Sequence, residues 1–161
     1  MWRCGECENE FVHVLGCMRT STRSLLLVVA QFSSIAVLLV VGPWQLPWWA
    51  WLLFTSGIAL FLWSAWALGG NFTVMPEPKA GNRVVHRGPY RWLRHPMYTS
   101  VILCALAVTC GGFSAWRAMA CVVCIGALVL KVHHEEILLA AQHPGYLPSM
   151  AGTWRLLPLI W

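Results

Sequence analysis

Apolar stretches separated by turn-forming or basic segments set the pattern of this chain. Ser24 to Val41 is an almost continuous apolar run of about 18 residues. At about 1.5 Å per helical residue that nearly crosses a ~30 Å hydrocarbon core. An uncharged turn, Gly42-Pro43-Trp44-Gln45-Leu46-Pro47, follows, and Trp44, Trp48, Trp49 and Trp51 cluster there as an interfacial aromatic belt. Trp48 to Leu68 returns as a second span without charges, and Gly69-Gly70-Asn71 supplies the glycine that suits a helix C-terminus. Met97 to Val132 is too long for one crossing, since about 36 residues of helix would run about 54 Å. Gly111-Gly112 divides it, predicting a helical hairpin of Tyr98–Cys110 and Ser114–Val132. The first arm is short and would either tilt little or thin the bilayer locally, and Arg117 would sit at the far interface. Beyond Val132 an amphipathic helix is expected to run to about Gln142, stopped by His143-Pro144-Gly145. The tail with Tyr146, Trp154, Arg155 and Trp161 is expected to pack over the membrane surface. The predicted fold is an all-α integral membrane bundle of about four transmembrane helices.

Charge orients these spans. Lys79, Arg83, Arg87, Arg91 and Arg94 crowd the segment from Phe72 to Arg94 against a single acid, Glu77, which places it in the cytoplasm. Arg3, Arg19 and Arg23 give the N-terminus the same side, as two crossings require. Composition agrees with a membrane domain: 58% of the 161 residues are hydrophobic and 11% charged, against roughly 25% charged in soluble domains. The net charge of +5 lies in loops between spans. It therefore reads as topology and an anion site, with the lipid bilayer and not nucleic acid as partner.

Four cysteines, Cys104, Cys110, Cys121 and Cys124, lie inside apolar segments and read as small packing residues. Cys121-x2-Cys124 has metal spacing without a His or acidic partner, so no metal is expected there. Residues 1–23 form a polar, cysteine-bearing tail set apart from the membrane domain, residues 24–161. Cys4, Cys7, His13 and Cys17 approximate a zinc knuckle; the alternatives are an unstructured tail or initiation at Met18.

The candidate chemistry sits between greasy spans. From His86 to Tyr98 the chain carries Arg87, Arg91, Arg94, His86, His95, Tyr90 and Tyr98. Gly88-Pro89 marks a turn, and Pro96 restricts His95. Tyr90, Arg91 and Arg94 could share one face of a helical turn. A second polar patch, His133 to Glu136, lies at the end of the other hairpin arm, so the two patches should converge at one membrane face. A small zwitterionic ligand suits such a cleft: arginine for a carboxylate, glutamate for an ammonium or hydroxyls, an aromatic face for a cation.

Gly88-Pro89-Tyr90-Arg91 followed by Arg94-His95-Pro96-Met97-Tyr98 resembles the isoprenylcysteine carboxyl methyltransferases, and phospholipid N-methyltransferases share a similar motif. Glu135-Glu136, then Tyr146, then Arg155 and Pro158 resemble the second block of that family. The resemblance implies a membrane methyltransferase using S-adenosylmethionine on a lipid-like or isoprenylated acceptor, carboxylate or amine. It implies His95, Pro96, Tyr98, Glu135, Glu136 and Tyr146 as cofactor-site positions; Tyr90 joins them, and Arg94 and Glu136 are expected to orient the reacting groups. Lys131-Val132 stands where the prenylcysteine enzymes have an arginine, and Gln142-His143, Ser149 and Ser100 also depart from the family pattern. The alternatives are an NADPH-dependent membrane reductase similar to sterol reductases and a non-catalytic relative of the fold.

Overall fold

The computed structural model describes residues 4–41, 44–69, 87–142, 150 and 152–156. Its helices are α1 (Cys4–Val40), α2 (Trp48–Leu68), α3 (Pro96–Gly111) and α4 (Ala115–Gln142), with no strand among the described residues. Thr22–Val40, Trp48–Leu68 and Ala115–Ala140 are each long and apolar enough to cross a membrane. The 16 residues of α3 reach only about 24 Å, as its short apolar run requires.

Local chemistry explains the ends. Gly69 closes α2 at φ 56°, where a side chain would be strained. Pro96 opens α3 at a position whose N–H has no partner within the helix. The hydroxyl of Ser114 accepts the N–H of Arg117 at 3.2 Å, capping the start of α4. The break at Gly111-Gly112 is where the apolar pattern puts it. The polar stretch before the first span belongs to α1, which is one helix from Cys4. A straight helix spreads Cys4 to Cys17 over about 20 Å of axis, unlike the compact loop of a zinc knuckle.

The bundle packs α2 against α3, α3 against α4, and α4 against α1. Ile102, Cys124, Leu128, Val132 and Leu156 form the core between α3, α4 and the C-terminal segment. Outward faces carry Leu26, Leu52, Val122 and Leu130, as hydrocarbon surroundings demand. Small residues set the closest approach of helices. A Cβ on Gly57 would lie 2.6 Å from Cys104 Sγ and 3.0 Å from the Ser100 carbonyl. Gly57→Val is therefore expected to push α2 off α3 and lower the thermal midpoint in detergent by several degrees; an unchanged midpoint would contradict this packing.

Arg117 differs from expectation. It lies at the hairpin turn but is fully buried. Its Nε donates to the Val41 carbonyl and its Nη1 to the Gly112 carbonyl at 2.9 Å. Backbone carbonyls left over at the ends of α1 and α3 draw it inward, away from the interface.

Candidate active site

At the end of the bundle opposite Arg117, the two polar patches meet. The approach to α3 is a 3₁₀ turn, Gly88–Arg91, entered by Gly88 at φ 60°. A Cβ there would press on Trp63 and Ala67 of α2, at 3.2 and 3.1 Å, so the loop lies directly on that helix. This turn buries Tyr90 and leaves Arg91 exposed. Tyr90, Arg91 and Arg94 therefore do not share a face: the 3₁₀ turn ends at Arg91, before Arg94. Burial, and then the charge of Glu135, hold the Tyr90 phenol well above its ordinary pKa, so it stays a neutral donor.

The C-terminal segment straps down residues 92–99. Arg94 N–H donates to the Trp154 carbonyl (2.8 Å), His95 N–H to that of Arg155 (3.1 Å), and Trp154 N–H to that of Trp92 (3.0 Å). The Thr99 hydroxyl donates to the Leu156 carbonyl one turn into α3. His95, Pro96 and Thr99 are buried by this strap.

Side chains from two segments then converge on Glu136 of α4. Arg94 Nη1 reaches its Oε1 at 3.1 Å, and Arg155 Nε its Oε2 at 2.9 Å. The other Arg94 nitrogens donate to the Met150 carbonyl at 2.9 Å and to Thr153 Oγ1 at 3.2 Å. Arg94 thus ties α3, α4 and the C-terminal segment together. His95 lies between the acids, with Nδ1 3.7 Å from Glu135 Oε2 and Nε2 3.8 Å from Glu136 Oε1. Those distances are beyond a hydrogen bond, and His95 Nε2 is buried without a hydrogen-bond partner among the described residues. The Tyr98 ring stacks on His95, centroids 5.5 Å apart, and its hydroxyl donates to Glu135 Oε2 at 2.9 Å. Lys131 Nζ stands 5.2 Å from the centre of the same ring and donates to Gln31 Oε1 of α1 at 3.2 Å.

Arg94, His95, Pro96, Tyr98, Glu135 and Glu136 thus come together as the hairpin topology requires, with Tyr90 in the adjoining turn. Tyr146 and Pro158 lie outside the described residues. Arg155 is an ion-pair partner of Glu136, a role its place in the tail does not reveal. Thr153, Gln31 and the buried Lys131 also belong to the cluster. Gln31 and Lys131 had one legible signal: a polar residue inside each apolar span. Thr153 had none, since its contact with Arg94 is purely tertiary.

The cluster sets the guanidinium groups of Arg94 and Arg155 and the amine of Lys131 against two carboxylates. Its guanidinium groups, a carboxylate on the rim at Glu135 and the imidazole of His95 suit a small ligand bearing both an anion and donors. Among the described residues no group of metal-ligating side chains comes together.

The phospholipid methyltransferase family matches residues 45–144, which span α2, α3 and α4 and the facing polar patches. No curated protein matches the chain.

Proposed function

The chain belongs to the phospholipid methyltransferase family, and on that premise we propose that it transfers a methyl group from S-adenosylmethionine to a lipid-like acceptor at the cytoplasmic membrane boundary. Membership makes it a membrane methyltransferase; the cofactor's seat and the acceptor are the proposal. The observation that carries it is the meeting of Arg94, His95 and Tyr98 with Glu135 and Glu136 at one end of the bundle.

The residues present fit this cofactor, because two guanidinium groups and two carboxylates meet there and the buried Nε2 of His95 has no hydrogen-bond partner among the described residues. When bound, the cofactor supplies an electrophilic methyl group on a cationic sulfur. The cationic side of the cluster attracts its carboxylate, and Glu135 accepts from its ammonium or ribose hydroxyls. Glu136 holds Arg94 and Arg155 in place, and Arg94 in turn holds the strap that covers the site. Tyr90 and Pro96 shape the wall behind His95, and Tyr146 is proposed to complete the site. A carboxylate acceptor needs no base. An amine must lose a proton, for which Glu136 or a histidine such as His95 is the proposed base. Positioning and exclusion of water then supply most of the rate.

The proposal is tested by calorimetric titration of the purified protein in detergent with S-adenosylmethionine and, separately, with NADPH. Saturable heat is expected with the first alone. Heat with NADPH alone would replace methyl transfer by reduction, and silence with both would mark a non-catalytic relative.

A further inference from the structure

Lys131 lies on α4 with only 2% of its surface exposed. An ammonium so placed is costly unless its partners hold it well. Three neighbours come from three different helices. Gln31 of α1, itself buried, accepts from Lys131 Nζ at 3.2 Å. The Tyr98 ring of α3 lies under the ammonium, 5.2 Å to its centre. Glu135 stands one turn further along α4, and its charge acts on the same ammonium.

Tyr98 carries this arrangement into the site. Its ring stacks on His95 with planes 11° from parallel, and its hydroxyl donates to Glu135 Oε2 at 2.9 Å. Stack, ammonium and hydroxyl hydrogen bond hold the ring from three directions and select one rotamer. The ring in turn fixes one oxygen of Glu135, the carboxylate on the rim. A Lys–Gln pair that only clipped α1 to α4 would be a poor choice. An apolar pair of similar volume clips two helices as well as buried charge does, and Leu38 and Cys121 already pack in one apolar cluster between these helices. What an apolar pair cannot supply is a cation over the Tyr98 ring beside Glu135.

On the footing of the methyl-transfer reading, we propose that Gln31 and Lys131 are positioning residues. Through the Tyr98 ring they set the Glu135 carboxylate to receive the ammonium or ribose hydroxyls of S-adenosylmethionine. Gln31 directs the ammonium, the ammonium holds the ring, and the ring's hydroxyl holds the carboxylate. Helix α1 lies outside the family-matched residues, and by this route it takes part in cofactor binding. A misplacement of ~1 Å at a reacting site costs up to about 100-fold in rate. A displaced ring is therefore legible in function before it is legible in fold.

The test uses the full chain in detergent with its tyrosines replaced by 3-fluorotyrosine. The Tyr98 fluorine signal is assigned by its loss in Tyr98→Phe, and affinity for S-adenosylmethionine is measured by calorimetry on unlabelled protein. Gln31→Met keeps the side chain's length and removes the acceptor. Its Tyr98 signal is expected to move and its affinity to fall about tenfold, and Gln31→Glu, which keeps an acceptor oxygen, is expected to restore most of that loss. Lys131→Met should move the same signal and lose at least as much affinity; Gln31→Met carries the test should that variant not fold. In a Tyr98→Phe background Gln31→Met is expected to add less than about twofold, because the route to Glu135 is already cut, whereas a mere helix clip would add its full loss again. An unmoved Tyr98 signal, parent-like affinity in Gln31→Met, or additive losses in the double variant would each overturn the proposal while cofactor binding by the parent stands. A parent that ignores S-adenosylmethionine, with a Tyr98 signal that still answers to Gln31→Met, would instead sink the methyl-transfer reading and the cofactor role resting on it, leaving only the contact.

Discussion

Glu136→Gln is expected to weaken S-adenosylmethionine binding by at least tenfold while leaving the helical content intact. Glu136 is buried and faces Arg94 at 3.1 Å and Arg155 at 2.9 Å. A glutamine can accept one hydrogen bond, but it neutralises neither guanidinium. Breaking a buried pair by removing one charge costs about 3–5 kcal/mol, because the other charge stays behind. Here the burden falls locally. Arg94 is also bonded to Met150 and Thr153, so loosening it loosens the strap over residues 150–156. The spans rest on other contacts, chiefly the core around Ile102, Cys124 and Leu128. Calorimetry should report the lost affinity, circular dichroism an unchanged helix signal, and limited proteolysis faster cutting near the C-terminus. Wild-type affinity in this variant would remove Glu136 from the site.

Arg117→Met should do the reverse, lowering stability and sparing the ligand. The guanidinium serves carbonyls at the ends of α1 and α3, those of Val41 and Gly112. Methionine fills much of the volume but offers no donor, so half-buried carbonyls lose their partner. A cost of about 3 kcal/mol is expected for leaving these carbonyls without a donor. That corresponds to a drop of roughly 6–12 °C in thermal midpoint for a chain of this size. Residue 117 lies about 28 Å along α4 from Glu136, so affinity for S-adenosylmethionine in the folded fraction should hold. A midpoint within a degree of the parent would show that Arg117 does not tie these helix ends.

The two variants divide the molecule into a chemical end and an anchoring end. The short α3 joins them, and its two termini carry the main polar contacts of the bundle. Pro96 begins it beneath the strap, and Gly111 ends it so close to α2 that a Cβ would lie 2.6 Å from that of Ala50. A helix pinned in this way holds Tyr98 and His95 at a constant depth, which a methyl transfer between a soluble and a lipid-borne partner requires.

Much of this was legible in the residues. The spans follow from apolar run length, the hairpin from Gly111-Gly112, the end of α2 from Gly69, and the start of α3 from Pro96. Each is a local property of backbone and solvent, and each can be read without knowing any neighbour. Convergence of Arg94 with Glu136 followed from topology alone, because a hairpin returns its two outer ends to the same face. The expected common face of Tyr90, Arg91 and Arg94 failed because the chain forms a 3₁₀ turn there and ends it before Arg94.

The amino-acid pattern by itself determined a helical membrane bundle with its polar chemistry gathered at one end, because hydrophobicity and turn residues act over a few neighbours. Only the tertiary structure decided that Arg155 pairs with Glu136, that Gln31 of α1 receives Lys131, and that Arg117 turns inward to helix ends. Those choices depend on which partner lies within about 3 Å once distant helices pack, and burial leaves Glu136, Lys131 and Arg117 little but those partners to turn to.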